Sequence, residues 1–160
     1  HQEVPLLVRL LQQRDLESAA HVHGLTFIRQ SMSYEWLECS FKAYPRIMLY
    51  VIEIQKQVAG YIIWAQRSGF RSEVDLELDQ LAVHPDFEGK VVGKKLIKQS
   101  LAMVKETLTS RGAVLKHIIV TTRADNVAQA LYKKTLGAEV ETVIRNLYSA
   151  DEVLMVARNV

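Results

Sequence analysis

One cysteine, three prolines and seven glycines in 160 residues exclude several classes of protein at the outset. A lone thiol, Cys39, cannot form an internal disulfide, so a buried core must hold the fold and a reducing compartment is expected. As a small apolar residue in "EWLECSF" it reads as a buried hydrophobe, not as a nucleophile. So few prolines and glycines leave no linker-like or low-complexity tract, and the chain shows no internal repeat. No apolar run approaches the ~20 residues that cross a bilayer as a helix. "VPLLVRLL" is interrupted by Arg9 and lacks a basic leader and a small-residue cleavage site, so no secretory signal is expected and the cytoplasm is the expected location. Charge of either sign is not in excess: 20 basic against 18 acidic residues give a net +2, and neither a nucleic-acid nor a membrane partner is expected on that balance.

What the chain does have is apolar residues, 49% of the whole, enough for one domain over residues 1–160 with a substantial core. "VPLLVRLL" reads as a strand, and Asp15 is placed to cap a helix carrying Leu16, Ala19, Ala20 and His23. "SYEWLECSFKAY" is a second helix stopped by Pro45. The period then changes: "IMLYVIEI" and "VAGYIIWAQ", separated by the polar "QKQ", predict a hairpin, and "SEVDLELDQLAV" a third strand. Ile97, Leu101, Val104 and Leu108 recur at spacings of three and four, predicting a long helix from Val92 to Ser110, ended by Gly112. "VLKHIIVTTR" is a strand, "NVAQALYKKTL" a helix closed by Gly137, and "VETVIRNLY" with "EVLMVAR" a last hairpin. The predicted class is α/β (α+β): a mixed, mostly antiparallel sheet of about seven strands with about four helices on its faces.

Two local conflicts mark a site. In "VDLELDQLAVH" the apolar residues Val74, Leu76 and Leu78 are even-numbered and Asp75, Glu77 and Asp79 face the other side, but Leu81 and Val83 are odd-numbered. A change of parity predicts a bulge near 79–81, which would free backbone N–H groups for a ligand; a solvated acidic face at a strand end is the plainer alternative. Just beyond, Lys90, Lys94, Lys95 and Lys98 crowd the start of a helix, the end where positive charge is unfavourable, and no acidic residue offsets them in its opening turn. A bound anion would remove the conflict, with Gly89 and Gly93 giving the backbone room to approach it.

"LDQLAVHPDFEGKVVGKKLI" followed by "NVAQALYKKTLGAEV" resembles the GNAT superfamily of acyl-CoA-dependent N-acetyltransferases, and the likeness covers nearly the whole chain. Ala128, Leu131 and Tyr132 match the superfamily's N-x-x-A-x-x-L-Y-x-x-x-G; Asp125 stands where its Asn belongs, with Asn126 one place late, and Gly137 also comes one residue late. The pyrophosphate loop departs from the usual Q/R-x-x-G-x-G/A: Glu88 replaces a basic or amide residue, and Val91 replaces the first glycine, a strain if that position needs a positive φ.

The resemblance implies a single-domain GNAT-like fold, splayed at the central strand, with acetyl-CoA as co-substrate and no metal. It implies an acetyl group moved to a primary amine, a small molecule or a peptide or protein amine, by direct attack. Glu88, Gly89, Lys90, Val91, Val92, Gly93, Lys94 and Asn126 would bind the cofactor, and Leu81, Ala82 and Val83 would pair with its pantetheine arm, the Val83 N–H polarising the carbonyl. Glu77 is the expected general base with Asp79 in reserve, since an alkylammonium near pKa 10.4 must lose a proton. Tyr132 is the expected acid at the sulfur, so that Tyr132→Phe should lower turnover by ~10²-fold or more. The acceptor would meet Phe27, Tyr34, Trp36, Phe41, Tyr44 and Tyr148, most of them expected in the core. His21, His23, His84 and His117 have no metal-ligand spacing. A CoA-binding module that has lost turnover through Glu88 and Val91 is one alternative, and a nucleotide-binding module without acyl chemistry another. A homodimer through the late strands is possible.

Overall fold

The computed structural model describes residues 5–160, and of Lys90 the backbone alone. Val4 of the first predicted strand and the Lys90 side chain lie outside the described residues. Seven strands and four helices follow in the predicted order: β1 Leu6–Leu10, α1 Leu16–Thr26, α2 Ser33–Lys42, β2 Ile47–Ile54, β3 Gln57–Gln66, β4 Glu73–Val83, α3 Lys90–Ser110, β5 Val114–Arg123, α4 Ala128–Leu136, β6 Glu139–Ile144 and β7 Glu152–Ala157. The sheet order is β1-β2-β3-β4-β5-β7-β6, mostly antiparallel, with β4 and β5 parallel and connected through α3. None of the described helices is long and apolar enough to cross a membrane.

The chain divides into two compact units, with the division within β4 between Asp79 and Gln80. Burial alternates along β4 without a change of face, Gln80 and Ala82 continuing the inward row of Val74, Leu76 and Leu78, which corrects the bulge expected near 79–81. The first unit holds everything up to Trp64 together with Gln80–Val104. In it β1 pairs antiparallel with β2, from Leu6 opposite Ile54 to Leu10 opposite Tyr50. Leu16, Ala19 and Val22 of α1 recur at the spacing of one helical face, and they pack with Leu37 of α2, Leu49 and Val51 of β2, Tyr61 and Ile63 of β3 and Ala82 of β4. Trp64, fully buried, donates its indole N–H to Ser100 Oγ of α3 at 2.9 Å, which satisfies the polar edge of a large ring. The β2–β3 turn has Gln55 and Lys56 at φ +53° and +64°, the two positive values that a tight hairpin turn requires, without a glycine or asparagine.

Cys39, expected to be buried, is exposed on α2, and Asp15 corrects a second expectation. Its side chain makes no cap to α1; it accepts the Gln12 N–H at 2.8 Å and a two-pronged contact from Arg9, at 2.7 and 3.0 Å. Arg9 also reaches Glu53 at 3.2 Å. Burial pushes the Asp15 carboxyl up, but the Arg9 guanidinium and the Gln12 N–H outweigh it and hold it below the usual range.

In the second unit, Ala65–Asp79 and Lys105–Val160, β4 runs parallel to β5 from Glu73 opposite Val114 to Glu77 opposite Ile119, with a register shift between Val74 and Asp75. β5 pairs with β7 from Ile118 opposite Ala157 to Arg123 opposite Glu152, and β7 with β6. Helix α4 ends on Gly137, at φ +69°, whose N–H returns to the Lys133 carbonyl. That left-handed ending is why a glycine stands there.

Candidate active site

Within the first unit lie a strand end, a loop and a helix start. His84 N–H donates to the Ala59 carbonyl of β3 at 2.7 Å. Successive N–H groups of a strand point to opposite edges, so the Val83 N–H is directed away from β3. Ala82 is buried in the core, and Leu81 and Val83 are half-buried, so only main-chain groups of this segment are offered to a ligand. Gly60 of β3 permits the arrangement: a Cβ there would lie 2.6 Å from the Ala82 carbonyl oxygen and 3.4 Å from Val83 Cα. No motif in the sequence marks Gly60; a glycine inside a strand, where it weakens pairing, is the only signal.

The loop is better formed than its sequence suggests. Val91 lies within α3, in right-handed helical conformation, with its side chain 62% exposed, so the expected strain is absent. Glu88 is exposed, with extended backbone at φ −58° and ψ 136°. Neither glycine takes a positive φ: Gly89 has none and Gly93 is helical. What Gly89 supplies is space, since nothing lies within 4 Å of where its Cβ would be. No acidic residue occupies the first turn of α3, while Lys94 is half-buried and Lys95 and Lys98 are exposed. A helix start with open space at Gly89, no acidic residue in its first turn and lysines at 94, 95 and 98 has the chemistry to suit an anionic group such as a diphosphate.

Within the second unit lie the candidate titratable groups. Glu77, half-buried, is ion-paired with Arg67 at 2.9 Å. Asp79, the next residue on that face, is open to solvent yet sheltered enough by protein that desolvation, reinforced by the Glu77 charge, pushes its carboxyl up to about 6, against the opposing pull of Arg67. Tyr132 on α4 is buried, and burial raises its phenol to about 12. Its hydroxyl bonds none of the described groups and is not among the sealed, partnerless polar atoms. Asn126 caps α4, accepting the Ala128 N–H at 2.8 Å.

The aromatic residues differ from expectation. Phe27 and Phe41 pack on the core, but Tyr34, Trp36, Tyr44 and Tyr148 are exposed, by 38%, 43%, 53% and 73%. They sit at helix ends and loops, where the surrounding shell of protein is thin. Of the histidines, His23 is fully buried and both its ring nitrogens are hydrogen-bonded to side chains, and His84 accepts the Asp86 N–H. No cluster of three metal-ligating side chains occurs among the described residues.

Residues 13–138 match the family model described as Acetyltransferase (GNAT) family. The chain belongs to the GNAT acetyltransferases. Solved structures of the same fold include the ribosomal-protein-S18-alanine N-acetyltransferase from Escherichia coli, 22% identical over 97% of this chain and 94% of that one, with a TM-score of 0.74. Ard1 from Thermoplasma volcanium is 18% identical over 98% and 99%, TM-score 0.75. The PaiA N-acetyltransferase from Thermoplasma acidophilum, solved in complex with coenzyme A, is 16% identical over 96% and 99%, TM-score 0.68. A search of curated proteins returned no match.

Proposed function

We propose that this GNAT protein is an active N-acetyltransferase that moves an acetyl group from acetyl-CoA to a primary amine by direct attack. The observation that carries the reading is the loop from Glu88 to Gly93. Its two departures from the family pattern place one side chain on the outer surface of a helix and the other in solvent, leaving the main-chain donors in place. Bound acetyl-CoA would supply the thioester carbonyl that the amine attacks. The amides of residues 89–93 and Lys94 would hold its diphosphate, and Leu81–Val83 its pantetheine arm as an added strand.

Asp79 takes precedence over Glu77 as the base. A carboxylate near pKa 6 is ionised at neutral pH and is a stronger base than one at the ordinary value, whereas Glu77 is engaged by Arg67. Asp79 would take the proton released by the ammonium, the Val83 N–H would donate to the acyl oxygen as charge develops there, and the Tyr132 hydroxyl would donate to the departing sulfur. With Asp75 and Glu77 on the same strand face, the site favours a cationic amine.

The test has two stages. Calorimetric titration with acetyl-CoA is expected to show one site per chain. Thiol release is then followed across spermidine, kanamycin and a six-residue peptide with a free α-amine, and at least one is expected to be acetylated. Binding without transfer to any of the three would replace an enzyme with an acyl-CoA-binding module, and no binding would end the reading altogether.

A further inference from the structure

Five side chains of the first unit form one chain of hydrogen bonds with Ser33 at its end. Trp36 Nε1 and the Tyr61 hydroxyl both donate to Gln80 Oε1, at 3.1 and 2.8 Å. Gln80 Nε2 donates to Gln30 Oε1 at 3.2 Å, and that oxygen lies 2.8 Å from His23 Nε2. His23 Nδ1 lies 2.7 Å from Ser33 Oγ. The direction of the chain follows from a single group. An indole N–H can only donate, so Gln80 turns its oxygen to Trp36 and its NH₂ to Gln30. Gln30 therefore presents its oxygen, His23 carries its proton on Nε2, and His23 Nδ1 accepts the Ser33 hydroxyl.

This chain ties α1, the α1–α2 connection, α2, β3 and β4 together, but much of what it holds is not core. Trp36 is 43% exposed, and in the connection beside it Met32 is 67% and Ile28 80% exposed. Met32 is held at φ +54°, a conformation that a non-glycine residue adopts only when its surroundings impose it. Gln80 and His23, at 8% and 0% exposure, carry a desolvation cost that apolar residues would avoid. What such a network supplies in return is orientation of the groups attached to it.

We propose that Gln80 is a positioning residue for the acetyl acceptor, fixing the Trp36 indole and the α1–α2 connection as a rigid wall. The inference rests on the acetyltransferase reading above and deepens it. With the indole edge tied down by Gln80, its open face takes the acceptor. An amine whose ammonium or adjoining carbon chain stacks on an aromatic ring suits that face, by cation–π and apolar contact together.

The test uses the full chain and whichever of spermidine, kanamycin or the peptide is acetylated. Gln80→Met, close in volume, removes every bond at that position, and Gln30→Leu removes the acceptor at an exposed position. Because Gln30→Leu takes a partner from the fully buried His23, circular dichroism and urea unfolding check that both variants fold before KM is compared. Both are expected to raise the acceptor KM about tenfold, with the acetyl-CoA dissociation constant within twofold of wild type. Gln30→Glu still accepts from both neighbours and is expected to keep the wild-type KM. Indole N–H resonances supply a readout besides activity: the chain has two tryptophans, and Gln80→Met should move the Trp36 signal while Trp64, bonded to Ser100, stays. An active wild type whose acceptor KM is unchanged in Gln80→Met and Gln30→Leu overturns the inference alone. A wild type that acetylates none of the three amines overturns the acetyltransferase reading, and this inference with it.

Discussion

Replacing Tyr132 by Phe tests what the phenol does at the sulfur. Burial raises the phenol to about 12, whereas an unperturbed thiol is near 8.5. Handing a proton from one to the other is therefore uphill by a pKa gap of about 3.5, or about 5 kcal/mol. A group in that position serves a thiolate better as a hydrogen-bond donor that keeps its proton than as a general acid. A hydrogen bond to a charged partner is worth about 1.5–3 kcal/mol, which corresponds to a loss of roughly 10- to 150-fold in kcat for Tyr132→Phe. That range reaches below the ~10²-fold expected of a true acid. The assay is thiol release at saturating acetyl-CoA across pH 6–9, with circular dichroism to show that the fold is kept. The donor role predicts a loss of similar size at every pH. Unchanged turnover removes Tyr132 from the chemistry, and a loss beyond about 10⁴-fold would mean that the phenol does transfer its proton, against the energetics above.

Asp79 carries a second prediction: kcat/KM should rise with pH through about 6, where the carboxyl ionises, and Asp79→Asn should abolish that limb; a limb left in place would return the role to another group. Gly60→Ala should weaken acetyl-CoA binding in calorimetry and cost about 1–3 kcal/mol of stability, because its Cβ meets the Ala82 carbonyl, a main-chain atom that cannot swing aside. Arg9→Met should cost on the order of 3–5 kcal/mol in urea unfolding at pH 7, since it leaves Asp15 buried without its partner. Because the folded-state pKa of Asp15 is depressed, that stabilisation is present above its unfolded pKa near 3.8 and is lost as pH falls through the lower folded value; the wild type and Arg9→Met should therefore converge in strong acid.

The order of elements could be read from the residues because periodicity is local. Ile97, Leu101, Val104 and Leu108 are all buried, as their spacing requires, and Gly137 ends α4 in the left-handed conformation that its position implied. The site was legible where it consists of main chain placed by such elements. It was not legible where long-range partners decide. Nothing near Glu77 in the sequence announces that Arg67, ten residues earlier, pairs with it, and that ion pair is the reason Asp79 is the base we propose. Asp15 has the position of a helix cap, but a guanidinium from β1 takes its carboxylate. Gln80 reads as a polar interruption of the strand pattern, and its meaning depends on Trp36, forty-four residues away in the chain. Exposure of Trp36 and Tyr44 was missed because aromatic residues are buried on average, and only the folded positions of α2 and the α2–β2 connection show that these are not.

Val91 stands on the outer surface of α3 where the family writes glycine, and the groups that would face a diphosphate belong to the peptide backbone, which every residue except proline shares. Recognition of this kind leaves little trace in the alphabet. Selection can exchange letters along such a loop while the course of its backbone is kept, so a pattern that insists on glycine there will pass over chains that fold alike.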